Sequence, residues 1–265
     1  MIERITPVIL THNESPNIRR TLSKLTWARD VIVVDSYSKD DTIQLASSFP
    51  MVRTFQRKFD NHRSQWSYAV EQTGIETEWV LALDADYLLT DELVEELRGL
   101  DPGEETQGYT ASFVYCVFGK RLRGSLYPPV TVLYRRESAS YVQDGHTQRI
   151  QVRGEVRDLA SPILHDDRKS IFSWIQSQNR YMLLEANVIR NTPWNELKWS
   201  DRIRKLRLPA PFVVLLYCLI LKGGLFQGRA GWFYAFQRMT AELILSLHLV
   251  APEFMTGPGD GAGDP

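Results

Sequence analysis

Over its first hundred residues the chain alternates short, continuous apolar runs with segments whose apolar residues recur at helical spacing. The runs "TPVILT", "DVIVVDS", "MVRTFQ" and "EWVLALDA" predict four buried strands, and β-branched residues dominate the second. Between them, "SPNIRRTLSKL", "KDDTIQLASSF" and "NHRSQWSYAVEQT" predict helices, and "TDELVEELRGL" predicts a fourth, capped by Thr90. In the first helix Ser15 reads as the N-cap and Pro16 as the first helical residue, with Ile18, Leu22 and Leu25 on one face. Acids open the second helix, where they suit the helix dipole. Strands apolar throughout, alternating with amphipathic helices, imply an α/β fold: a mostly parallel, Rossmann-like sheet covered by helices on both faces. Ligands of such sheets bind at the carboxyl ends of the strands. Here those ends carry "THNE", "DSYSKDD" and "DADY", so three polar clusters are expected along one edge.

From about Gly108 to His165 the pattern turns β-rich, in "GYTASFVYCVFGK", "TVLYRR", "TQRIQV" and "SPILH". This is expected to extend the sheet and wall the second half of a cleft. "SIFSWIQSQNRYMLLEANVIR" then predicts one long helix, with Phe172, Ile175, Tyr181, Leu184 and Val188 roughly in phase. Between Arg202 and Arg238 there are seven Arg or Lys residues and no Asp or Glu. Within that stretch "LPAPFVVLLYCLIL" is apolar for about fourteen residues, short of the ~20 that span a bilayer. It can be a buried core helix. The preferred reading is an amphipathic helix lying in a membrane surface, because "RIRKLR" supplies cations for anionic head groups. Trp232, Phe233, Tyr234 and Phe236 add residue types that suit the interface. The expected organisation is residues 1–195 as one domain, with a nucleotide-binding half (1–100) and an acceptor half (101–195). A basic, apolar helical region (196–252) and a disordered Gly, Pro and Asp tail (253–265) follow.

The composition, 43% hydrophobic and 24% charged, is that of a folded protein, and a net charge of −1 gives no general reason to expect nucleic acid as a partner. Cys116 and Cys218 are far apart and in no metal or redox spacing, which fits a reducing compartment. The start reads as a strand and not as a signal peptide.

Two carboxylates one residue apart, Asp84 and Asp86, end the apolar run "WVLALDADYLL". Like charges there are costly unless water or a cation satisfies them. A turn is one explanation. The other is a site for a hard divalent cation that also grips a diphosphate.

Taken in order, "TPVILTHNE", "VIVVDSYSKDDT" and "WVLALDADY" resemble the family 2 glycosyltransferases of the GT-A fold, over about residues 4 to 100. The later "ILH", "NRYMLLEA" and "YCLILKGGLFQGRAGWFYAF" look more narrowly like the branch that transfers glucose in lipopolysaccharide-core and capsule assembly. The resemblance implies an inverting transfer from a nucleoside-diphosphate-sugar, expected to be a UDP-sugar, to a lipid-linked saccharide at the cytoplasmic face of the inner membrane. It implies Mg²⁺ or Mn²⁺ as cofactor. It would set Thr11, Asn13 and Glu14 beside the nucleoside, Asp35 on the base with Ser36 next to it, and Arg63, Asp84 and Ala85 near the diphosphate. Asp84, Asp86 and a late histidine, His165, would hold the metal. The base that takes the acceptor's proton is expected at Asp144 in "YVQDGHTQ", with Glu155 and Asp166 as fallbacks. Two positions depart from close relatives: Tyr87 where many have an acid, and Gln227-Gly228 where many have Asp-Gly. Two other readings stay open. One is a polyprenyl-phosphate glycosyltransferase, whose acceptor needs no strong base; the other is a non-catalytic, membrane-bound binder of sugar nucleotides.

Overall fold

Four apolar runs, Ile5–Thr11 (β1), Val31–Asp35 (β2), Val52–Gln56 (β3) and Trp79–Asp84 (β4), form the parallel part of a seven-stranded sheet. The computed structural model describes the backbone of residues 1–144 and 147–255, and the side chains of 1–141 and 150–251. The helices Ile18–Ser23 (α1), Thr42–Ser47 (α2) and His62–Glu71 (α3) connect these strands as the periodicity predicts. β1 lies between β2 and β4, with Thr11 opposite Asp35 and Leu10 opposite Asp84. The three polar strand ends are therefore level with one another.

After β4 come Tyr87–Leu89 (β5), the helix Asp91–Gly99 (α4), and the strands Thr106–Ala111 (β6), Phe113–Val117 (β7), Lys120–Arg121 (β8) and Val130–Arg135 (β9). Ala139–Asp144 (β10), Thr147–Val152 (β11), Glu155–Asp158 (β12) and Ile163–His165 (β13) complete the strands. The large sheet runs β12-β6-β9-β4-β1-β2-β3, with β9 antiparallel to both β4 and β6. A smaller sheet, β5-β13-β7-β8, and the β10–β11 hairpin account for the rest of the β-rich segment.

Alternation along the strands gives the large sheet two apolar faces. Ile9, Trp79, Leu81 and Leu83 pack with Ile18, Leu22, Leu93 and Leu97 on one side, and Val8, Ile32, Val34 and Val80 pack with Trp66 and Ala69 on the other. Each such large side chain contributes about 1.5–3 kcal/mol when fully buried. Thr90 caps α4 by accepting from the Leu93 N–H at 3.1 Å. The start of α1 differs from expectation. The Glu14 carbonyl accepts from both Asn17 and Ile18, and the Ser15 N–H is taken by the Asp40 carboxylate at 3.1 Å. Ser15 and Pro16 thus lie in a turn, and Asn17 is the cap position.

The chain divides into two compact units, the first running Met1–Lys169 and the second beginning at Ser170. The second unit is helical: Ile171–Asn191 (α5), Trp199–Lys205 (α6), Pro209–Leu216 (α7) and Gly228–Met255 (α8). On α5 the apolar stripe Phe172, Ile175, Leu184 and Val188 is exposed, whereas Ala186 and Ile189 are buried against Leu245 and Leu249 of α8. The small residue at 186 lets the two helices approach, so packing follows it and not the bulkier stripe. The expected tail, 253–265, lies almost wholly outside the described residues.

Past α7 the chain widens into a π-type turn, Tyr217–Leu221, then tightens at Gly224–Gln227 before α8. A Cβ on Gly231 would sit 2.0 Å from the Gly224 carbonyl oxygen, so this close approach requires glycine. The apolar run is one-sided: Ala210, Cys218 and Leu219 are buried, while Phe212, Leu216, Ile220 and Leu221 are exposed. No single described helix is long and apolar enough to cross a membrane. Pro209–Leu221 and Gly224–Ala251 together, bent by 66°, meet that length and composition. Arg204 of α6 bonds both carboxylate oxygens of buried Glu242 on α8, and it also reaches Glu185 and Asp201.

Candidate active site

Thr11 ends β1, and the next residues turn sharply: Asn13 adopts a left-handed conformation at φ 54°. This puts "THNE" against the loop that follows β2. The Ser36 N–H donates to the Thr11 carbonyl at 2.9 Å, the Asn13 N–H donates to Ser38 Oγ at 2.8 Å, and Asn13 Oδ1 accepts from the Lys39 N–H at 2.8 Å. Asp35 fastens the pair from beneath. It is fully buried, and its carboxylate accepts from Thr11 Oγ1 at 2.9 Å, from the Ser38 N–H at 2.8 Å and from Ser38 Oγ. Both of its oxygens are thus engaged inside the protein. Ser36, expected beside it, accepts from Gln65 Nε2 at 3.1 Å. Thr42 continues the network, its hydroxyl accepting from the Glu14 N–H at 2.7 Å and donating to Asp40.

Tyr37, at the tip of this loop, was not singled out by sequence. It is left-handed at φ 57° and 55% exposed, a conformation a bulky residue seldom adopts.

Asp84 is the last residue of β4, and Asp86 lies in the turn into β5. The Ala85 side chain is buried, and its carbonyl accepts from Thr21 Oγ1 at 2.5 Å, which fixes the middle of the turn. β5 pairs with β13 so that Tyr87 lies opposite His165. This pairing brings His165, 79 positions away in sequence, to Asp86: Nε2 and Oδ2 are 3.1 Å apart. His165 therefore meets Asp86, and Asp84 lies two residues before it at the end of β4. Among the described residues, however, no three His, Cys, Asp or Glu side chains are already gathered in an arrangement that could hold a metal ion. The His165 Nε2–H is spent on the Asp86 carboxylate, and Nδ1 is buried without a partner.

The electrostatics follow from crowding. Asp84 is open to solvent at the strand end but hemmed by protein on its other sides, and this desolvation, with Asp86 beside it, pushes its carboxyl up to about 6. Burial acts on Asp86 in the same sense, yet the charge and hydrogen bond of His165 outweigh it and hold Asp86 below the usual carboxylate range. His165 is raised reciprocally: burial would lower it, and the carboxylates of Asp86, Asp84 and Asp167 overcome that. Burial pushes the Glu14 carboxyl up, and the charge and hydrogen bond of Lys169 pull against it.

Tyr87 is buried beside the carboxylates, and its hydrogen bond to Asp84 opposes the rise of that carboxyl. The Tyr87 hydroxyl pairs with that of Tyr127, and its ring lies 4.8 Å from Phe113 and 5.4 Å from His165. Tyr87, Phe113, Tyr115 and Tyr127 thus surround His165 with aromatic rings.

Other expected residues are less involved. Arg63 is exposed on α3 and has no hydrogen bond or ion pair among the described residues. Asp144 ends β10, and its side chain lies outside the described residues. The two fallback bases differ in placement. Glu155 pairs with Arg157 at the start of β12, level with Thr106 and so at the opposite end of the sheet from Asp84. Asp166 is buried and held by Arg20 at 2.6 Å, Arg168 at 2.9 Å and the Gly119 N–H at 3.0 Å. Sequence reasoning also passed over Asn17, Asp167 and Lys169, which join this network. The charge run "HDDRKS" directly after the β13 strand was the available signal.

The glycosyl transferase family 2 model matches residues 6–151, more than half of the chain. An uncharacterized glycosyltransferase of Rickettsia bellii is 29% identical over 147 residues, covering 53% of this chain and 49% of that protein. The SPbeta prophage-derived glycosyltransferase SunS of Bacillus subtilis is 36% identical over 93 residues, covering 33% of this chain and 21% of SunS. The alignment spans about half the length of the first of these relatives or less. Among solved structures, S. aureus TarS in complex with UDP-GlcNAc aligns over 96% of this chain and 93% of its own, at 13% identity and a TM-score of 0.46.

Proposed function

The chain belongs to glycosyl transferase family 2, and on that premise we propose that it moves a sugar, with inversion, from a nucleoside-diphosphate-sugar to a hydroxyl of a lipid-linked saccharide. The observation that carries the donor half is the convergence of Thr11–Glu14, Asp35–Thr42 and Asp84–Asp86 at one level of the sheet edge. The hydrogen-bonded loops after β1 and β2 form a rigid seat for a nucleoside, with the exposed Tyr37 ring as a face on which a base stacks. Asp35 serves that seat by clamping the loop. A direct bond from Asp35 to a base requires Ser38 to yield.

The donor set suits a hard divalent cation, Mg²⁺ or Mn²⁺. Two carboxylates stand one residue apart, burial and then the charge of Asp86 raise the Asp84 carboxyl, and an imidazole stands beside them. Asp84 and Asp86 would bind the ion directly, and His165 would join once released from Asp86. Bound there, such an ion neutralises charge on the departing diphosphate. Asp144 is the proposed base, placed on the β10–β11 hairpin that Tyr141 anchors by stacking on Trp66.

The acceptor half rests on the second unit. Phe212, Leu216, Ile220, Leu221 and Phe226 are exposed, and Arg202, Arg207, Lys222 and Arg229 lie in the same region of sequence. Exposed aromatic and aliphatic side chains with flanking cations suit an anionic lipid surface. This supports a peripheral position at the cytoplasmic face of the inner membrane and the lipopolysaccharide-core or capsule branch of the family.

The test is a panel of nucleotide sugars with Mn²⁺ and a lipid-extract acceptor, read as donor turnover. Turnover that requires the lipid fraction and falls with Asp144→Asn supports the reading. If Asp144→Asn leaves turnover intact while Asp86→Ala abolishes it, a phosphate acceptor replaces the hydroxyl one. No turnover with any donor favours the non-catalytic binder.

A further inference from the structure

Resting on the donor reading above, we propose that Lys169 is a donor-responsive cation, held by Glu14 in this structure and exchanging that carboxylate for the diphosphate oxygens when donor binds. The segment Asp166–Lys169 follows His165 directly and is stitched to the Asp84–Asp86 turn, since the Asp166 N–H donates to the Asp86 carbonyl at 3.1 Å. Its backbone is fixed by Asn17, which is buried: Oδ1 accepts from the Arg168 N–H at 2.9 Å, and Nδ2 donates to Asp167 Oδ1 at 2.9 Å. The same Nδ2 donates to Glu14 Oε2 at 2.9 Å, so one buried amide positions both partners of the Glu14–Lys169 pair.

The cations in this network are not equivalent. Arg20 and Arg168 both spend their guanidinium groups on the buried carboxylate of Asp166. Lys169 instead places its ammonium on Glu14 Oε1, with about a quarter of its side chain exposed. Among the described residues it is the one Lys or Arg in this network not committed to Asp166. A lysine head is a compact charge on a flexible stem, so it can change partner without moving the backbone. A diphosphate entering beside Glu14, Asp84, Asp86 and Asp167 adds negative charge to a place already rich in it. Exchanging one carboxylate for phosphate oxygens keeps the ammonium fully bonded, so the swap costs little. Glu14 then acts as a competitor for the cation, and donor binding must displace it.

This predicts opposite effects from the two partners, which a merely structural ion pair does not. The full-length chain would be titrated calorimetrically with UDP and GDP and with uridine and guanosine, once with Mn²⁺ and once with EDTA. Lys169→Gln should weaken the bound nucleoside diphosphate by about tenfold, the scale of losing a charge-assisted hydrogen bond, and leave the nucleoside within about twofold. Lys169→Arg should restore most of it. Glu14→Gln should tighten the diphosphate about threefold or more by removing the competitor. Melting curves of each variant establish that it is folded. Equal binding by Lys169→Gln and the parent, or weakening by both Lys169→Gln and Glu14→Gln, would overturn the exchange. Absence of nucleoside-diphosphate binding by the parent would instead overturn the donor reading itself, and the exchange with it.

Discussion

Replacing Asp35 with alanine separates two roles for the residue at the end of β2. In this structure the carboxylate is fully buried and accepts from Thr11 Oγ1, the Ser38 N–H and Ser38 Oγ. Alanine leaves the Thr11 hydroxyl, itself buried, and the Ser38 N–H without their acceptor. An unsatisfied buried donor costs about 1–3 kcal/mol. Ser38 is half-buried, so water can recover part of its share, and removing a buried charge offsets a little more. The net expectation is a loss of about 3 kcal/mol, which for a unit of this size lowers the melting temperature by about 6–12 °C. Asp35→Asn keeps the shape but sets an amide donor against one of these donors, so about half that loss is expected. The assay is thermal and urea denaturation, run alongside calorimetric titration with a nucleoside diphosphate. If Asp35→Ala melts within about 2 °C of the parent and yet loses nucleotide binding, the clamp account fails and the direct contact with the base stands in its place.

Tyr37→Gly should relieve a left-handed backbone that costs a bulky residue about 1–2 kcal/mol, and so leave stability equal or slightly higher. It should also weaken nucleoside binding by about tenfold through loss of the stacking face; unchanged affinity would remove Tyr37 from the site. Arg204→Leu leaves Glu242 buried without its cation, for a loss of about 2–4 kcal/mol after allowing for the partial exposure of Arg204. Adding Glu242→Gln to that variant should recover much of the loss in urea denaturation, and no recovery would refute the pairing. Tyr87→Asp puts a carboxylate among Phe113, Tyr127 and His165 and should cost about 3–5 kcal/mol without tightening Mn²⁺ binding by calorimetry.

The sheet edge was legible in sequence because it depends on local pattern. Apolar strands ending in "THNE", "DSYSKDD" and "DADY" define their own register once the parallel sheet is inferred, and Thr11, Asp35 and Asp84 lie at one level as that inference requires. His165 was legible only through the resemblance, since its meeting with Asp86 depends on the β5–β13 pairing between distant segments. What could not be read was which polar groups satisfy one another. Asp166 looks like a spare acid in sequence but is bound by two arginines, and Glu155 lies at the far end of the sheet because β12 enters the sheet there in parallel with β6. The packing face of α5 was misleading for a related reason: a small residue, Ala186, set the approach of α8 while the larger apolar side chains stayed outside.

The central claim is that a nucleotide sugar binds through a divalent cation at the Asp84–Asp86 strand end. Calorimetric titration of nucleotide sugars into the parent chain and into Asp84→Asn/Asp86→Asn, with Mn²⁺ present, tests it most directly. The account expects saturable binding of one donor class by the parent, lost at least tenfold in the double variant or on adding EDTA. Equal donor affinity in parent and double variant, with and without the metal, would contradict it.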